Sequence, residues 1–348
     1  MEYKIIKTLG KGYNAIAYLV EKGDKRYVAK VQKLLPEEEK ENLIYDFWKE
    51  IDFMKIMYDN PHFIKYYSHR IEKNCKHKLK INYITKSKQL VKKHEIRNNS
   101  NICGHTIIEY KGNTIYNMMN DLDLQNKYKL TIQVLYALNS AREKGYSIGD
   151  ITPVNITYID YDKEQPIKVF NKYIKCKYFY SIIDYGSVTS KRYVKNHTNP
   201  KKIMTTNDRI KYFTDFFLFI YMVGTNRYHV LRNNKSGKIK DLPRLKNILS
   251  YIKKDKIWKV IKKNLIVSDP YFKKWIDDGC KEYYARGLWM DELILAHWVI
   301  LDRVGCLTYL ESDLNISNFL PQKDLHFLIN NYYDTKVCFT YLMDKIRT

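Results

Sequence analysis

Gly145-Tyr146-Ser147-Ile148-Gly149-Asp150-Ile151-Thr152-Pro153-Val154-Asn155, followed by Ser181-Ile182-Ile183-Asp184-Tyr185-Gly186, are the stretches on which the reading of this 348-residue chain turns. An aspartate stands five residues before an asparagine, and a second aspartate precedes a glycine at the end of an apolar strand. Phosphoryl transfer needs one carboxylate to take the proton of an attacking hydroxyl. It also needs an amide and a second carboxylate to hold the metal ion that bridges the phosphates. Either fragment alone is a weak match; both together, in this order, are a strong one.

The upstream half supplies the remaining parts in sequence. Leu9-Gly10-Lys11-Gly12-Tyr13-Asn14-Ala15-Ile16-Ala17-Tyr18-Leu19-Val20 places a glycine turn between two strand-like stretches. Backbone amides there can approach phosphate oxygens because no Cβ intervenes. Glu21-Lys22-Gly23-Asp24-Lys25 is a hairpin signal. It leads into the apolar strand Tyr27-Val28-Ala29-Lys30-Val31, which delivers one lysine. Further on, Phe47, Ile51, Met54 and Tyr58 have helical spacing, which puts Glu50 at the border of the buried face, within reach of Lys30.

On these residues the chain resembles the eukaryotic-type protein kinases, as a divergent example, over roughly residues 3 to 225. The resemblance implies an α+β, bilobal fold with a strand-rich N-lobe (1–109) and a mainly helical C-lobe (110–348). It implies Mg-ATP as cosubstrate, with Mn²⁺ as a substitute ion. Lys30 would bind the α/β-phosphates and Glu50 would orient it. Asp150 would be the catalytic base, Asn155 and Asp184 the metal ligands, and Gly10 and Gly12 the cover over the nucleotide. Ile107-Ile108-Glu109-Tyr110-Lys111-Gly112 would be the hinge that meets the adenine, with Glu109 at its centre. The Lys-, Asn-, Ile- and Tyr-heavy composition fits an AT-rich genome such as that of a large DNA virus. The location implied is cytoplasmic, in the host cytoplasm or virion if the source is viral.

Several positions depart from the family pattern. Ile148 and Gly149 stand where the family has His-Arg, which removes the usual partner of a phosphorylated activation loop. Thr152 replaces a lysine that touches the transferred phosphate. Ala15 fills the third glycine position, and no Ala-Pro-Glu follows Asp184. Ala17 and Val28 exchange the sizes of the two side chains that sandwich the adenine, keeping their summed volume. Of Asp208 and Asp215, the latter is the favoured match to the aspartate that anchors the central C-lobe helix.

Composition supports a folded chain, with 45% hydrophobic and 14% aromatic residues. No apolar run reaches membrane-spanning length, and the N-terminus enters a strand with no signal peptide. A net charge of +23 is concentrated in three stretches. Residues 70–97 hold ten Lys or Arg against Glu72 and Glu95, and 191–211 hold seven against one acid. The third stretch is 232–263. Such fields favour acidic protein substrates, nucleic acid or anionic surfaces, with a solvated lysine-rich surface as the plain alternative. The six cysteines (75, 103, 176, 280, 306, 338) form no close pair and read as free thiols. Cys75-Lys76-His77 and Cys103-Gly104-His105 are two Cys-x-His pairs of zinc-ligand type. They are read here as strand faces, with Cys75, His77, Leu79 and Ile81 inward.

Along the chain, Pro36 to Tyr58 reads as the N-lobe helix and 70–100 as an inserted loop or lengthened hairpin. Tyr128 to Lys144 reads as a helix with Leu130, Val134, Leu138 and Ala141 inward, stopped by Gly145. Tyr158 to Pro166 reads as a strand and turn within a second insertion, and Phe216 to Val223 as a buried helix. Helices are expected at 242–252, 275–288, 293–304 and 323–332. The leading function is an ATP-dependent serine/threonine protein kinase acting on protein hydroxyls. The alternatives are a small-molecule kinase of the aminoglycoside or choline type and a catalytically weak pseudokinase scaffold.

Overall fold

The computed structural model describes residues 3–11, 15–77, 96–194, 210, 213, 215–216, 219–220, 223 and 319–346. Five antiparallel strands open the chain: β1 (Lys4–Lys11), β2 (Ala15–Lys22), β3 (Lys25–Leu34), β4 (Tyr66–Lys73) and β5 (Ile102–Glu109), in the order β1-β2-β3-β5-β4. The β2–β3 turn closes on Lys22↔Lys25, where the Gly23-Asp24 signal placed it. Strand alternation then sorts the side chains. Leu19, Leu34, Ile102 and Ile108 are buried on one face, while β1 is exposed along its whole length.

Helix α1 (Asp46–Ile56) buries Phe47, Trp48, Ile51, Phe53 and Met54; Phe47 and Trp48 pack on the sheet at Gly104 and His69, while Phe53 meets Phe63, Tyr146 and Tyr185. It is shorter than the expected Pro36–Tyr58 helix. Pro36–Glu38 makes only a 3₁₀ turn and residues 39–45 are irregular, held by Trp48 Nε1 donating to the Glu38 carbonyl at 2.8 Å. Because α1 ends at Ile56, Tyr58 falls off the buried face and is 45% exposed.

Beyond the sheet, residues 110–112 lead to β6 (Asn113–Thr114) and to α2 (Leu124–Glu143). Asp123 caps α2 by accepting from the Asn126 amide at 2.7 Å, so the helix begins four residues earlier than expected. Leu130, Val134, Leu138 and Ala141 are all buried. After β7 (Tyr146–Ser147), the second insertion is one long hairpin of β8 (Ile156–Val169) and β9 (Lys172–Ile182). Its turn lies at Phe170-Asn171 and not at 162–166, where the ladder only bulges between Asp160 and Gln165. The base of the hairpin is tied to the connection between α1 and β4: Ile182 N donates to the His62 carbonyl at 2.8 Å.

β10 (Thr189–Ser190) pairs with β7 and continues into a short helix, α3 (Lys191–Val194). Of the 216–223 stretch, Phe216, Phe219, Ile220 and Val223 are buried. The C-terminal helices α4 (Gln322–Asn331) and α5 (Thr335–Met343) return to α2. Thr335 Oγ1 donates to Asn139 Oδ1 at 2.8 Å, and Tyr128 and Tyr341 both donate to the buried Asp324 carboxylate. The helices expected at 242–252, 275–288 and 293–304, and most of the two later basic clusters, lie outside the described residues. No described helix is long and apolar enough to cross a membrane.

One expectation is overturned. Cys75 and Cys103 are not free thiols but a disulfide with Cα atoms 5.7 Å apart. The residues are separated by 28 positions, and only the chain reversal at Asn74 (φ 63°) lays Cys75 against β5. Cys176 and Cys338 are free and buried.

Candidate active site

A cleft of about 690 Å³ lies between the first sheet and the three-stranded β6–β8–β9 sheet. Its roof is Leu9, Gly10, Ala17 and Val28, its back wall Ile108 and Glu109, and its floor Val154, Asn155, Ile183 and Asp184. Every described residue expected around the nucleotide lines it: Gly10, Ala17, Val28, Lys30, Glu50, Glu109, Asn155 and Asp184. Gly12 lies outside the described residues. Ala17 sits opposite Lys30 in the β2–β3 ladder, and Val28 opposite Leu19, so both face the same space.

Lys30 is the electrostatic centre. Its Nζ lies 2.7 and 2.9 Å from the two Glu50 oxygens and 3.1 Å from Asp184 Oδ1. Three elements distant in sequence therefore converge on one ammonium: β3, α1 and the loop after β9. Burial alone would lower the Lys30 pKa, but the charges of Asp184 and Glu50 outweigh it and hold the lysine above its usual value. Burial raises Glu50, opposed by Lys30, whereas the lysine charge lowers Asp184. Asp184 has φ +62°, an uncommon conformation for a residue with a side chain and a feature that clusters at functional sites. Tyr185 anchors that turn. Its ring is buried against Phe53, its hydroxyl donates to the Ile182 carbonyl, and its amide points to Glu50 Oε1 at 3.4 Å.

The loop between β7 and β8 carries Asp150 and Asn155. Asn155 Nδ2 donates to the Asp150 carbonyl (3.0 Å) and to Asp150 Oδ2 (3.1 Å). Burial first, and the Asp184 charge second, push the Asp150 pKa up to about 6, while the Asn155 bond pulls the other way. The loop is shaped from beneath by Asp215, which is buried. Its carboxylate accepts from Ser147 Oγ (2.9 Å), Ile148 N (2.7 Å) and Gly149 N (3.0 Å). Gly149 has φ +91°, where a side chain would be strained. The Ile148-Gly149 pair thus serves backbone geometry that turns two amides onto one carboxylate. At the hinge, Gly112 passes so close to the Tyr158 carbonyl that a Cβ would collide with it.

Reasoning from sequence missed several residues of the cleft. Ile64, Met118, Thr157 and Tyr158 line it from positions with no motif of their own. His62, buried with Nδ1 2.8 Å from the Tyr180 carbonyl, joins the α1–β4 connection to β9. Val154 and Ile183 could have been found, since each directly precedes a candidate metal ligand.

The donor set fits a hard divalent ion. Asn155 gives its NH₂ to Asp150, leaving the amide oxygen, and Asp184 presents a carboxylate; oxygen donors of this kind suit Mg²⁺.

No protein-family model matches the sequence, and no curated protein matches it. Among solved structures, the PF14_0431 kinase domain is similar at 18% identity and a TM-score of 0.36, over 54% of this chain and 52% of that one. The Cydia pomonella granulovirus kinase PK-1 is similar at 19% identity and a TM-score of 0.33, again over 54% and 52%. The chain thus matches about half the length of each. The strand order of the first sheet and the convergence of β3, α1 and the loop after β9 are features of this chain independent of those likenesses.

Proposed function

We propose that the protein is an ATP-dependent kinase that transfers a phosphoryl group to serine or threonine hydroxyls of proteins. The observation that carries this reading is the meeting of Lys30, Glu50 and Asp184 in a nucleotide-sized cleft, with Asn155 in its lining and Asp150 bonded to Asn155 just outside it. The adenine would lie between Ala17 and Val28 above and the floor residues below, against the hinge backbone at Glu109 and Lys111. Lys30, kept cationic by two carboxylates, would bind the α/β-phosphates while Glu50 holds its direction.

Asn155 and Asp184 would hold Mg²⁺, which supplies neutralisation of phosphate charge when bound. Asp150 would take the proton of the attacking hydroxyl. With its pKa near 6 it is mostly ionised at pH 7 yet basic enough for the task. Asp215 shapes the loop so that Asp150 and Asn155 stay in mutual contact. Gly149 stands where the arginine of a phosphate-dependent switch would, and Asp215 holds its amide, so the loop has an anchor that needs no phosphate.

The test is transfer from labelled ATP with Mg²⁺, using protein, peptide, and alcohol and sugar acceptor panels. Wild type should label proteins, and Asp150→Asn should lower the rate by roughly 10²–10⁴-fold. Peptides with acidic flanks should be preferred over basic ones, given the net charge of +23. Labelling confined to small alcohols would move the protein to the small-molecule kinases. An unchanged rate in Asp150→Asn would remove the catalytic reading.

A further inference from the structure

A second polar cluster lies on the other face of the first sheet, unused by phosphoryl transfer. Gly104 packs beneath Phe47 of α1, so its neighbours Cys103 and His105 point to the opposite face. Cys75 and His77 cross that face next to them: Cys75 is bonded to Cys103, and the His77 ring lies 6.2 Å from the His105 ring. Tyr18 and Val31 pack alongside the sulfurs.

We propose that Cys75, His77, Cys103 and His105 form a four-ligand site for a zinc-class divalent cation when the sulfurs are reduced. The Cys75–Cys103 bond and the bound metal are then alternative states of one site. While the sulfurs are bonded to each other, no group of three metal ligands exists among the described residues.

Four arguments support it. Two thiolates and two imidazoles make a known structural zinc set, and their charges cancel that of the ion, which suits a buried place. Cys75 and Cys103 are 5% and 0% exposed. With Zn–S near 2.3 Å and Zn–N near 2.0–2.1 Å, a tetrahedral site needs sulfurs about 4 Å apart and ring centres about 5 Å apart. The rings therefore have to close by only about 1 Å, within reach of side-chain rotation.

The backbone does not depend on the sulfur–sulfur bond to hold this geometry. Cys75 N donates to the Asn101 carbonyl (2.7 Å), and Lys33 Nζ donates to the carbonyls of Cys75 (3.0 Å) and Ser100 (2.7 Å). Finally, Glu72 Oε2 lies 2.9 Å from His105 Nε2, although the two are not aligned as a hydrogen bond. A carboxylate at that nitrogen is the usual outer partner of a metal-bound histidine, which assigns Nδ1 to the ion.

The exchange balances with a thiol reductant. Two R–SH molecules break the Cys75–Cys103 bond, leave as RSSR, and deliver two electrons and two protons to the sulfurs. The cation then displaces both protons. Oxidation by a small disulfide, RSSR, runs the sequence backwards and releases the ion. The site would join the Cys75–His77 crossing to β5, the strand that ends at Glu109 in the cleft.

The experiment is a titration of the full, reduced chain with Co²⁺ and then Zn²⁺. One equivalent of Co²⁺ should give a thiolate-to-cobalt charge-transfer band and tetrahedral ligand-field bands, both removed by Zn²⁺. The double variant His77→Asn, His105→Asn should bind at least roughly 10-fold more weakly, and Cys75→Ser, which leaves only the Cys103 thiolate, should lose at least about half of the charge-transfer intensity. Zn²⁺ should protect Cys75 and Cys103 of the wild type from alkylation, read peptide by peptide; this needs no variant to fold. A reduced wild type without the cobalt bands, protection that falls on other cysteines, or a histidine variant with unchanged spectrum and affinity would overturn the proposal.

Discussion

β3 carries two lysines three residues apart, on opposite faces of the same sheet, and their surroundings differ in kind. Lys30 meets two carboxylates and opens on the cleft. Lys33 meets only carbonyl oxygens, those of Cys75 and Ser100. Its pKa is lowered, by burial first and against the pull of Glu72, whereas that of Lys30 is raised. Nearby, Glu38 is taken by Arg97 Nη2 at 2.7 Å, and Arg97 Nη1 also donates to the Lys33 carbonyl at 2.9 Å. One cluster thus holds more anion than its cation neutralises and faces a ligand-sized space. In the other, Lys33 is tied to backbone carbonyls and Arg97 to a carboxylate. Surplus charge beside a cavity marks a site; satisfied charge in a closed place marks a joint.

Four measurements would sharpen or break this contrast. Removing one partner of a buried pair costs most, because a bare charge is left behind. Arg97→Met should therefore lose about 3–5 kcal/mol of stability in chemical denaturation, with phosphotransfer per folded molecule unchanged. A lost activity at full folding would make that side part of the site.

Lys30→Met should lose both. Transfer falls by roughly 10²–10³-fold, as when a charge-stabilising donor is removed from an active site, and stability falls as well, because Glu50 is left buried beside Asp184 without its cation. A large loss of stability with normal kinetics would class Lys30 with Arg97.

Asp150 gives a pH-dependent case. Its folded pKa, about 6, lies above its ordinary 3.8, so the folded chain holds that proton more tightly than the unfolded chain does. Its contribution to stability is therefore present below pH 3.8 and is lost as pH rises through 6. Asp150→Asn cannot ionise and should be more stable than wild type above pH 6, by at most about 3 kcal/mol, with the gain vanishing near pH 4. Equal stability at every pH would show that the carboxyl is not held in a protonation-favouring site. The smallest effect is expected for Lys33→Met, about 1–2 kcal/mol, the cost of leaving the carbonyls of Cys75 and Ser100 without their donor. Its ATP-dependent rate should match wild type.

Much of the cleft was legible because phosphate chemistry restricts residue type at short spacings. Asp150 and Asn155 are five apart, Asp184 precedes a glycine, and Lys30 sits in an apolar strand; each pattern is local. The hairpin at Gly23-Asp24 and the inward face of α2 were equally plain, since turn chemistry and helical period are local too. What failed was boundary and closure. Pro36 signalled a helix start but made only a 3₁₀ turn, and the second insertion turned at Phe170 and not near Pro166. Two extended strands pair through backbone groups that every residue has, so the point of reversal leaves little mark in side chains.

Sequence alone determined the chemical inventory and its order: a glycine turn, a strand lysine, a helix glutamate, an acid with an amide, and a second acid. Only the tertiary structure decided which charges meet. That Glu50 and Asp184 share Lys30, that Asp215 gathers three donors from the loop before Asp150, and that Cys75 lies against Cys103 are contacts between segments 20 to 154 residues apart. Such contacts form because burying the sheet, α1 and the β8–β9 hairpin around one apolar core leaves these polar groups no other partners at hydrogen-bonding distance.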